Sequence, residues 1–356
     1  MKIKQKLVAL YFNEPNPELY RKIDFSSDNL HFEPYFEIDK STPLEEYDKM
    51  VNKLKKSGID AYSLNIKDNL NTLLNDYFTN KPDVVFNFIE LFQEKVELES
   101  NIVGLFELLD IPYTGAPMMA LLNCQNKYLS KRILRYYNIP TPDFFFVDKK
   151  NGKFKNNLNF PLIVKPVCED ASVGIDNNSI VHNERELKKR LEYVFEKINQ
   201  SAIVEQYIDG REVNVSILGD KYPVVLPLSE IDFSEMPDHL YGIVSYQAKW
   251  DPLHEAYHKT IPICPAQLPK KVEKKIKEIS ISAFKIMGVR DYARVDIRLD
   301  KALKPYVLEV NPNPDLTEDA GFMRSAKAAG FSYVKTLKKI IQFAIERNKK
   351  RLPKKF

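Results

Sequence analysis

The chain has 356 residues, of which 44% are hydrophobic and 29% charged, and its formal net charge is +4. These values are typical of a globular protein with two or three domains, and no nucleic-acid partner is expected from so small a basic excess. No apolar run approaches the roughly 20 residues of a membrane span, and the N-terminus lacks a signal-peptide pattern. Cys124, Cys168 and Cys264 are far apart in the sequence, without metal-ligand spacing, so we expect reduced thiols and a cytoplasmic location.

Strands and helices alternate over the first third of the chain. Strands are predicted at Leu7–Phe12, Ala61–Ile66 and Asp83–Glu90, and helices at Pro43–Ser57 and Val96–Leu109. This alternation indicates a parallel sheet covered by helices, with ligands at the carboxyl ends of its strands. At one such end lie Asn87 and Glu90, which are interpreted either as strand caps or as substrate contacts. The segment Phe25–Thr42 is aromatic and acidic without a clear period, and we interpret it as an irregular insertion.

A second set of elements follows the turn Pro112–Pro117. It comprises a helix (Met118–Tyr137), a strand (Phe160–Pro166), a polar loop (Val167–Ile175), a helix capped by Asn183, and two strands (Ala202–Tyr207 and Glu212–Leu218). Lys165 stands near the end of an otherwise apolar strand, where a half-buried ammonium group needs an anion. The loop after it, VCEDASVGI, can present backbone N–H groups to phosphate oxygens.

Glu205 lies in the apolar strand AIVEQY, where an unpaired carboxylate is costly. Two interpretations of this residue remain open. It either pairs with a lysine or arginine, or it faces the amino group or ribose of a nucleotide.

A predicted helix at Pro269–Met287 leads into a hairpin with strands at Tyr292–Leu299 and Pro305–Val310. Because side chains alternate along a strand, Arg294, Asp296 and Arg298 share one face. Antiparallel pairing brings Asp296 close to Glu309 and Asn311. Two carboxylates and an amide oxygen suit Mg²⁺, or Mn²⁺ in its place. The alternative is an ordinary hairpin with a solvated acidic face.

A closing helix is predicted at Ala320–Arg347, with a break near Gly330. The basic tail Arg347–Lys355 is interpreted as a solvated helix end. Ahead of this helix, an acidic group either faces a cationic or amino-bearing substrate or caps the helix; its members are Asp315, Glu318 and Asp319.

These motifs occur together and in order, and together they resemble the ATP-grasp superfamily and, within it, the D-alanine–D-alanine ligase family. FPLIVKPVCEDASVGI is similar to the family's FPxxVKPxxEGSSxGx, and YQAKW is similar to its YEAKY. YARVDIRLD…YVLEVNPNPDLT is similar to RxD…LEvNtxPGmT, and IVEQYIDGREVNVSILGD resembles the family's hinge strand. With PYTGAP and the NK-x3-K segment, the resemblance extends from Pro82 to Ala344.

The resemblance implies an ATP-grasp fold of mixed α/β and α+β class. Residues 1–118 would form an N-terminal αβ domain, residues 119–206 a central lid domain, and residues 207–356 a C-terminal domain that carries the metal site. It also implies a homodimer formed through the N-terminal domain.

The resemblance also implies a role for each matching residue. Lys127 and Lys165 would neutralise the phosphates of ATP, covered by the loop that contains Glu169, Ser172 and Gly174. Glu205 would meet the adenine amino group beside the backbone of Gln206 and Ile208, and Glu212 would hold the ribose. Lys249 would reach the γ-phosphate, and Arg294 would face the transferred phosphoryl group. Two Mg²⁺ ions would be held by Asp296, Glu309 and Asn311.

On the amino-acid side the sequence departs from the family pattern. Asp170 and Ala171 replace Gly-Ser, Trp250 replaces a tyrosine, and Asp315 replaces a glycine. We therefore expect an ATP-dependent carboxylate–amine ligase that forms a peptide or amide bond through an acyl phosphate, on an amino acid or small peptide other than D-alanine. The alternatives are a genuine D-alanine–D-alanine ligase, ligation to a hydroxyl nucleophile, and an ATP-binding regulatory or scaffold protein.

Overall fold

The computed structural model describes residues 6–16 and 42–351, which form thirteen strands in three sheets and eleven α-helices. The predicted insertion Phe25–Thr42 lies outside the described residues, except for Thr42. Among the helices of the described segments, none is both long enough and apolar enough to cross a membrane.

The first sheet is parallel, as the alternation of elements predicts. Its strands stand in the order β2-β1-β3, with β1 at Leu7–Phe12, β2 at Asp60–Asn65 and β3 at Val84–Phe88. The helices of this part of the chain are α1 at Pro43–Lys56, α2 at Leu70–Asn80 and α3 at Glu99–Leu108. Helix α1 begins where Thr42 and Glu45 form a reciprocal capping box. The sequence pattern did not indicate α2, which begins because the Asn69 side chain caps two backbone N–H groups.

The second sheet has four antiparallel strands in the order β4-β7-β5-β6. These strands are β4 at Phe144–Val147, β5 at Leu162–Pro166, β6 at Ile180–Val181 and β7 at Ala202–Gln206. Helix α6 at Glu184–Tyr193 begins after Asn183, whose side chain accepts a hydrogen bond from the Glu186 N–H, as predicted. Leu187 and Leu191 of this helix are buried in one core with Val164 of β5.

The single helix predicted at Met118–Tyr137 is wrong. The chain instead forms α4 at Met118–Gln125 and α5 at Lys127–Tyr136. Between them Asn126 has an extended backbone, and its side chain caps α5 by accepting from the Leu129 N–H. Lys127 therefore stands in the first turn of α5, and its backbone N–H donates to the Val167 carbonyl at 2.9 Å. The break thus fastens Lys127 to the loop that follows β5.

The third sheet has six strands, of which five follow the order β11-β10-β8-β12-β13 while β9 pairs with β8. They are β8 at Gly210–Leu218, β9 at Val224–Val225, β10 at Ser229–Asp232, β11 at Ile261–Ile263, β12 at Tyr292–Asp300 and β13 at Pro305–Asn311. The helices of this part are α7 at Tyr246–Trp250, α8 at Glu255–His258, α9 at Lys270–Ile286, α10 at Gly321–Ala328 and α11 at Tyr333–Arg351. The predicted β12–β13 hairpin is confirmed. A Cβ at Gly210 would lie 2.0 Å from the Leu299 carbonyl oxygen, so β8 can begin this close to β12 only with a glycine.

The C-terminal helix completes the core of the first sheet. Ile340 and Ile341 of α11 are fully buried in one cluster with Leu10 of β1. A second cluster joins Tyr11 of β1 to Val295 of β12. Residues from the first and third parts of the chain are thus buried in the same clusters. The domain boundaries 1–118, 119–206 and 207–356 remain our proposal.

Arg347 ties α11 to the start of β12. Its guanidinium donates to both carboxylate oxygens of Asp291 at 2.7 and 3.0 Å and to the Tyr113 carbonyl at 2.9 Å. Asp291 is fully buried and also accepts from the backbone N–H of Gly115 at 2.9 Å. The interpretation of the tail as a solvated helix end is therefore wrong for Arg347, and residues 352–356 lie outside the described chain.

Replacing Arg347 with methionine is expected to lower the free energy of unfolding by about 3–5 kcal/mol, the usual cost of removing one partner of a buried ion pair. The loss arises because Asp291 would keep a buried charge without its bidentate partner. Chemical denaturation measures this value. The control is Lys335→Ala on an exposed position of the same helix, with an expected change within about 0.5 kcal/mol. A loss no larger than that of the control would contradict the structural role of Arg347.

Candidate active site

A cleft of about 660 Å³ opens between the four-stranded and six-stranded sheets, a volume typical of a small-molecule site. Its walls contain most of the predicted site residues, namely Lys127, Lys165, Ser172, Glu205, Gln206, Ile208, Glu212, Lys249, Arg294, Asp296 and Glu309. Three predicted residues, Glu169, Gly174 and Asn311, do not line it. The tertiary fold thus brings residues from distant parts of the sequence to one space.

Strand pairing on both sides fixes the charged face of β12. Asp296 stands opposite Glu309 of β13 and opposite Asn214 of β8. Arg294 Nε and Nη2 donate to the two carboxylate oxygens of Asp296 at 2.7 and 2.8 Å, and Asn214 Nδ2 donates to Oδ1 at 2.8 Å. The predicted proximity of Asp296 and Glu309 is confirmed. Since Asp296 is only 6% exposed, the interpretation as a solvated acidic face is wrong for this residue.

Four cationic side chains surround the carboxylate of Glu309. Lys127 Nζ lies 3.5 Å from its Oε2, and Lys165, Arg294 and Lys249 also act on its charge. Burial alone would raise the pKa of Glu309, but these four cations lower it to about 2. Within the described segments, Lys249 forms no salt bridge. Its positive charge is therefore able to attract a further anion into the cleft.

Glu205 is fully buried in the wall of the cleft. Its Oε2 lies 3.2 Å from Lys165 Nζ and 3.3 Å from Lys131 Nζ. Burial alone would raise the pKa of Glu205, but the two ammonium groups lower it. Its Oε1 accepts no hydrogen bond from any described residue. Pairing with lysine is therefore confirmed for one carboxylate oxygen, while the other remains an unused acceptor.

A buried arginine holds Glu212. Arg298 Nη1 donates to Glu212 Oε2 at 3.1 Å, and its Nε donates to the Ile208 carbonyl at 3.1 Å. Burial raises the pKa of Glu212, and the charge of Arg298 opposes this shift. Arg298 thus fixes both the carboxylate and the turn between β7 and β8.

The loop after β5 is fastened to the segment around α7. Ser172 Oγ donates to the Val244 carbonyl at 2.7 Å, and Trp250 Nε1 donates to the Ala171 carbonyl at 2.8 Å. Ala171 and Ser172 have φ values of 52° and 64°, left-handed conformations that are uncommon for residues other than glycine. These two hydrogen bonds offset that conformational cost and hold the loop over the cleft.

Glu169 and Gly174 shape this loop from outside the cleft. Glu169 Oε1 accepts a hydrogen bond from Gln200 Nε2, and its backbone carbonyl accepts one from Lys127 Nζ. Gly174 has a φ of +71°, and a Cβ there would lie 2.8 Å from the Pro166 side chain. A side chain at this position would therefore force the loop to move.

Asn311 stands opposite Arg294 at the end of β13. Its Oδ1 accepts a hydrogen bond from the Asn313 N–H at 3.2 Å. An amide oxygen has a second lone pair. Metal binding by Asn311 remains a prediction.

The acidic group before α10 does not cap that helix, so the capping interpretation is wrong. Ala320 is the N-cap residue of α10, and no side chain caps it. Asp315 instead accepts from the backbone and hydroxyl of Thr317 at 2.8 Å. Asp319 lines the cleft.

Among the side chains of the cleft wall that sequence reasoning missed are those of Asn214, Tyr257 and Arg324. Asn214 stands two residues after Glu212 on the same face of β8, so the strand period could have identified it. Tyr257 and Arg324 reach the cleft from short helices whose position depends on tertiary packing, and no local pattern indicates them.

The donor atoms of the hairpin fit a hard divalent cation. Asp296 and Glu309 supply carboxylate oxygens, which Mg²⁺ prefers. Across residues 6–16 and 42–351, no three His, Cys, Asp or Glu side chains form a metal-binding cluster. Mg²⁺ is commonly held by one or two carboxylates while substrate phosphates supply further ligands, and the nearby lysines suit such phosphates.

Comparison with known proteins identifies the family. Residues 133–342 match the family model described as D-ala D-ala ligase C-terminus. The D-alanine–D-alanine ligase of Pelotomaculum thermopropionicum is 33% identical over 293 residues, which cover 76% of this chain and 87% of that protein. The chain belongs to the D-alanine–D-alanine ligase family. It is 31% identical to the uncharacterized protein y4sG of Sinorhizobium fredii, over 84% of this chain and 87% of that protein.

Solved structures confirm the fold of this family member. The D-alanine–D-alanine ligase of Bacillus anthracis matches with a TM-score of 0.72 and 27% identity, over 97% of this chain and 99% of that one. The complex of the Bacillus anthracis ligase with ATP matches with a TM-score of 0.71 and 24% identity. The protein therefore has the multidomain ATP-grasp fold and is an ADP-forming ligase that uses ATP and Mg²⁺.

Trp250→Phe is expected to weaken the binding of a non-hydrolysable ATP analogue to this ligase by about 3- to 10-fold, the effect of one lost hydrogen bond. The phenyl ring keeps the apolar surface but cannot donate to the Ala171 carbonyl, so the loop would be held less firmly. Isothermal titration calorimetry measures the Kd, with Tyr246→Phe on the same helix as a matched control. Equal affinity of wild type and Trp250→Phe would contradict a role of this bond in ordering the loop.

Proposed function

We propose that this ligase joins a small carboxylate to a small amine through an acyl phosphate, and that the pair is not two D-alanines. The observation that supports the chemistry is the Asp296–Glu309 hairpin with Lys127, Lys165 and Arg294 around it in one cleft. The observation that supports a different substrate pair is the altered loop after β5, where Asp170 and Ala171 line the cleft in place of the family's Gly-Ser.

In this proposal the cations of the cleft bind and orient the phosphates of ATP. Lys127 and Lys165 neutralise the phosphate chain, with Lys165 near the α and β groups, and Lys249 reaches the γ-phosphate. Ser172 belongs to the loop that covers them, and Glu169 and Gly174 give that loop its shape. Phosphoryl transfer needs alignment and charge neutralisation more than a covalent protein group, which suits this set of side chains.

The nucleoside would lie along β7 and β8. The unused Oε1 of Glu205 is suited to accept from the adenine amino group, beside the backbone of Gln206 and Ile208. Glu212, held by Arg298, would bind the ribose hydroxyls. Both carboxylates are buried and fixed by cations, so they would bind without losing side-chain freedom.

Asp296, Glu309 and Asn311 would hold Mg²⁺. Bound there, the metal would polarise the phosphoryl group and neutralise charge that develops on its oxygens. Arg294, beside Asp296, would stabilise the transferred phosphoryl group and the negative oxygen formed when the amine attacks the acyl phosphate.

The substrate side of the cleft supports a pair other than two D-alanines. Where the family has a serine hydroxyl, Ala171 has none, and its carbonyl is occupied by Trp250. Asp319 and Arg324 line the cleft and offer one negative and one positive group to a substrate. The second candidate is D-alanine–D-alanine ligation itself, which the names of the Pelotomaculum and Bacillus relatives favour.

ADP release is expected to require one particular carboxylate–amine pair. It is expected to fall about 100-fold or more in Asp296→Asn and in Glu309→Gln, because each change removes a carboxylate that would hold the Mg²⁺ needed to stabilise the transition state. The measurement is a coupled ADP assay with Mg²⁺ and a panel of amino acids and dipeptides, supplied singly and in pairs, with D-alanine included. Asp209→Asn is the control. Its carboxylate is exposed, outside the cleft and 2.9 Å from Lys301 Nζ, so activity should be unchanged.

Each contrary result of this assay would contradict a different part of the proposal. Turnover with D-alanine alone would contradict the substrate pair and favour the second candidate. Release of AMP in place of ADP would contradict the acyl phosphate. Binding of ATP without turnover across a wide panel would favour a regulatory protein.

We also propose that the ligase is a cytoplasmic homodimer that associates through its N-terminal part. Phe78 and Leu108 are 57% and 84% exposed, and these apolar side chains support association there. The three cysteines are free thiols, which supports a reducing compartment.

A further inference from the structure

Lys131 is a buried ammonium group to which the proposed mechanism gives no role. Its side chain is 1% exposed, and it does not line the cleft. Burial lowers the pKa of Lys131 to about 8, although the nearby Glu205 opposes this shift. A buried charge is costly unless a specific partner compensates it. Lys131 must therefore have partners that compensate its charge.

Two polar groups contact the Lys131 ammonium. It lies 3.3 Å from Oε2 of Glu205, and it donates to Thr141 Oγ1 at 2.9 Å. Thr141 in turn donates to the carbonyl of Val307 in β13 at 2.8 Å. Lys131 is thus fixed between the third sheet and the carboxylate of β7.

The two oxygens of Glu205 have different surroundings. Oε2 is shared by Lys131 and Lys165, while Oε1 has no hydrogen-bond partner among the described residues. Lys165 lines the cleft, so bound phosphates would compete for its charge. Lys131 lies behind the wall, so its contact with Glu205 would be unaffected by a nucleotide.

We infer that Lys131 is a positioning residue that determines nucleobase selectivity by holding Oε2 of Glu205, which leaves the buried, unpaired Oε1 as the acceptor for the base. This inference rests on the proposed contact between Glu205 and the base. An ionised acceptor binds the amino group of adenine strongly and repels the carbonyl oxygen that guanine carries at the same position. A site built to accept a hydrogen bond rejects an analogue that cannot donate one, because the buried acceptor is left unpaired.

The test is the ratio of the Kd values for non-hydrolysable GTP and ATP analogues, measured by calorimetry with Mg²⁺ on the full chain. In Lys131→Met we expect the ATP analogue to bind about 10- to 100-fold more weakly, the effect of losing a charge-assisted hydrogen bond. The GTP analogue should bind with nearly unchanged affinity, so the ratio falls by the same factor. A purely structural role would weaken both analogues equally and leave the ratio unchanged, which would overturn the inference.

Glu205→Gln separates failure of this inference from failure of the proposed base contact. If the ratio is unchanged in Glu205→Gln, the contact between Glu205 and the base is wrong. If the ratio falls in Glu205→Gln but not in Lys131→Met, only the role of Lys131 is wrong. If the ratio falls in both variants, both the contact between Glu205 and the base and the role of Lys131 are supported.

If Lys131→Met does not fold, the same ratio is measured in Thr141→Val. It removes the second hydrogen bond of the Lys131 ammonium and leaves every charge in place. We expect the ratio to fall several-fold, and an unchanged ratio in a folded Thr141→Val protein would overturn the inference. Lys285→Met, on helix α9 away from the cleft, is the control for removal of a lysine charge and should leave the ratio unchanged.

Discussion

The antiparallel pairing of β12 with β8 and β13 is the constraint on which the cleft depends. Because side chains alternate along a strand, Arg294, Asp296 and Arg298 face one way while Val295 and Ile297 are fully buried on the other side. A shift of one residue in the pairing with β8 would place charges in the core and apolar groups in the cleft. The pairing that buries the apolar side chains of β12 therefore also places its charged side chains in the cleft.

Charge compensation is the second property that organises the cleft. The carboxylates of Glu205, Glu212, Asp296 and Glu309 each lie within salt-bridge distance of a lysine or arginine. Such pairs do little for stability when the charges are buried, since desolvation offsets their attraction. They do fix the position of each group. This protein thus has a preorganised polar site whose geometry does not depend on flexible side chains, which is what transfer of a phosphoryl group requires.

Residues at which this sequence departs from the family motifs form the contact between the loop after β5 and α7. Here an indole N–H and a backbone carbonyl join Trp250 to Ala171, so the loop remains fastened although the serine and tyrosine hydroxyls of the family pattern are absent. This hydrogen bond fastens the loop, and we propose that the changed residues beside it alter the groups available to a substrate. The residues proposed to bind phosphate match the family motifs, whereas several residues proposed to lie near the substrate do not. This contrast is the basis for our proposal of a different substrate pair.

The sequence by itself determined the faces of the elements, because strand and helix periods depend only on neighbouring residues. The alternation in YARVDIRLD was sufficient to predict that Arg294, Asp296 and Arg298 share one face, whereas a β-bulge at Leu308 sets Glu309 opposite Asp296. Only the tertiary structure decided the partners of the remaining groups. Asn126 interrupts a continuous helical pattern because it caps α5 and Lys127 bonds to Val167, and Arg347 leaves a basic tail to pair with Asp291. These contacts join residues far apart in the chain. They are specified by the packing of the three sheets, which no local sequence period reflects.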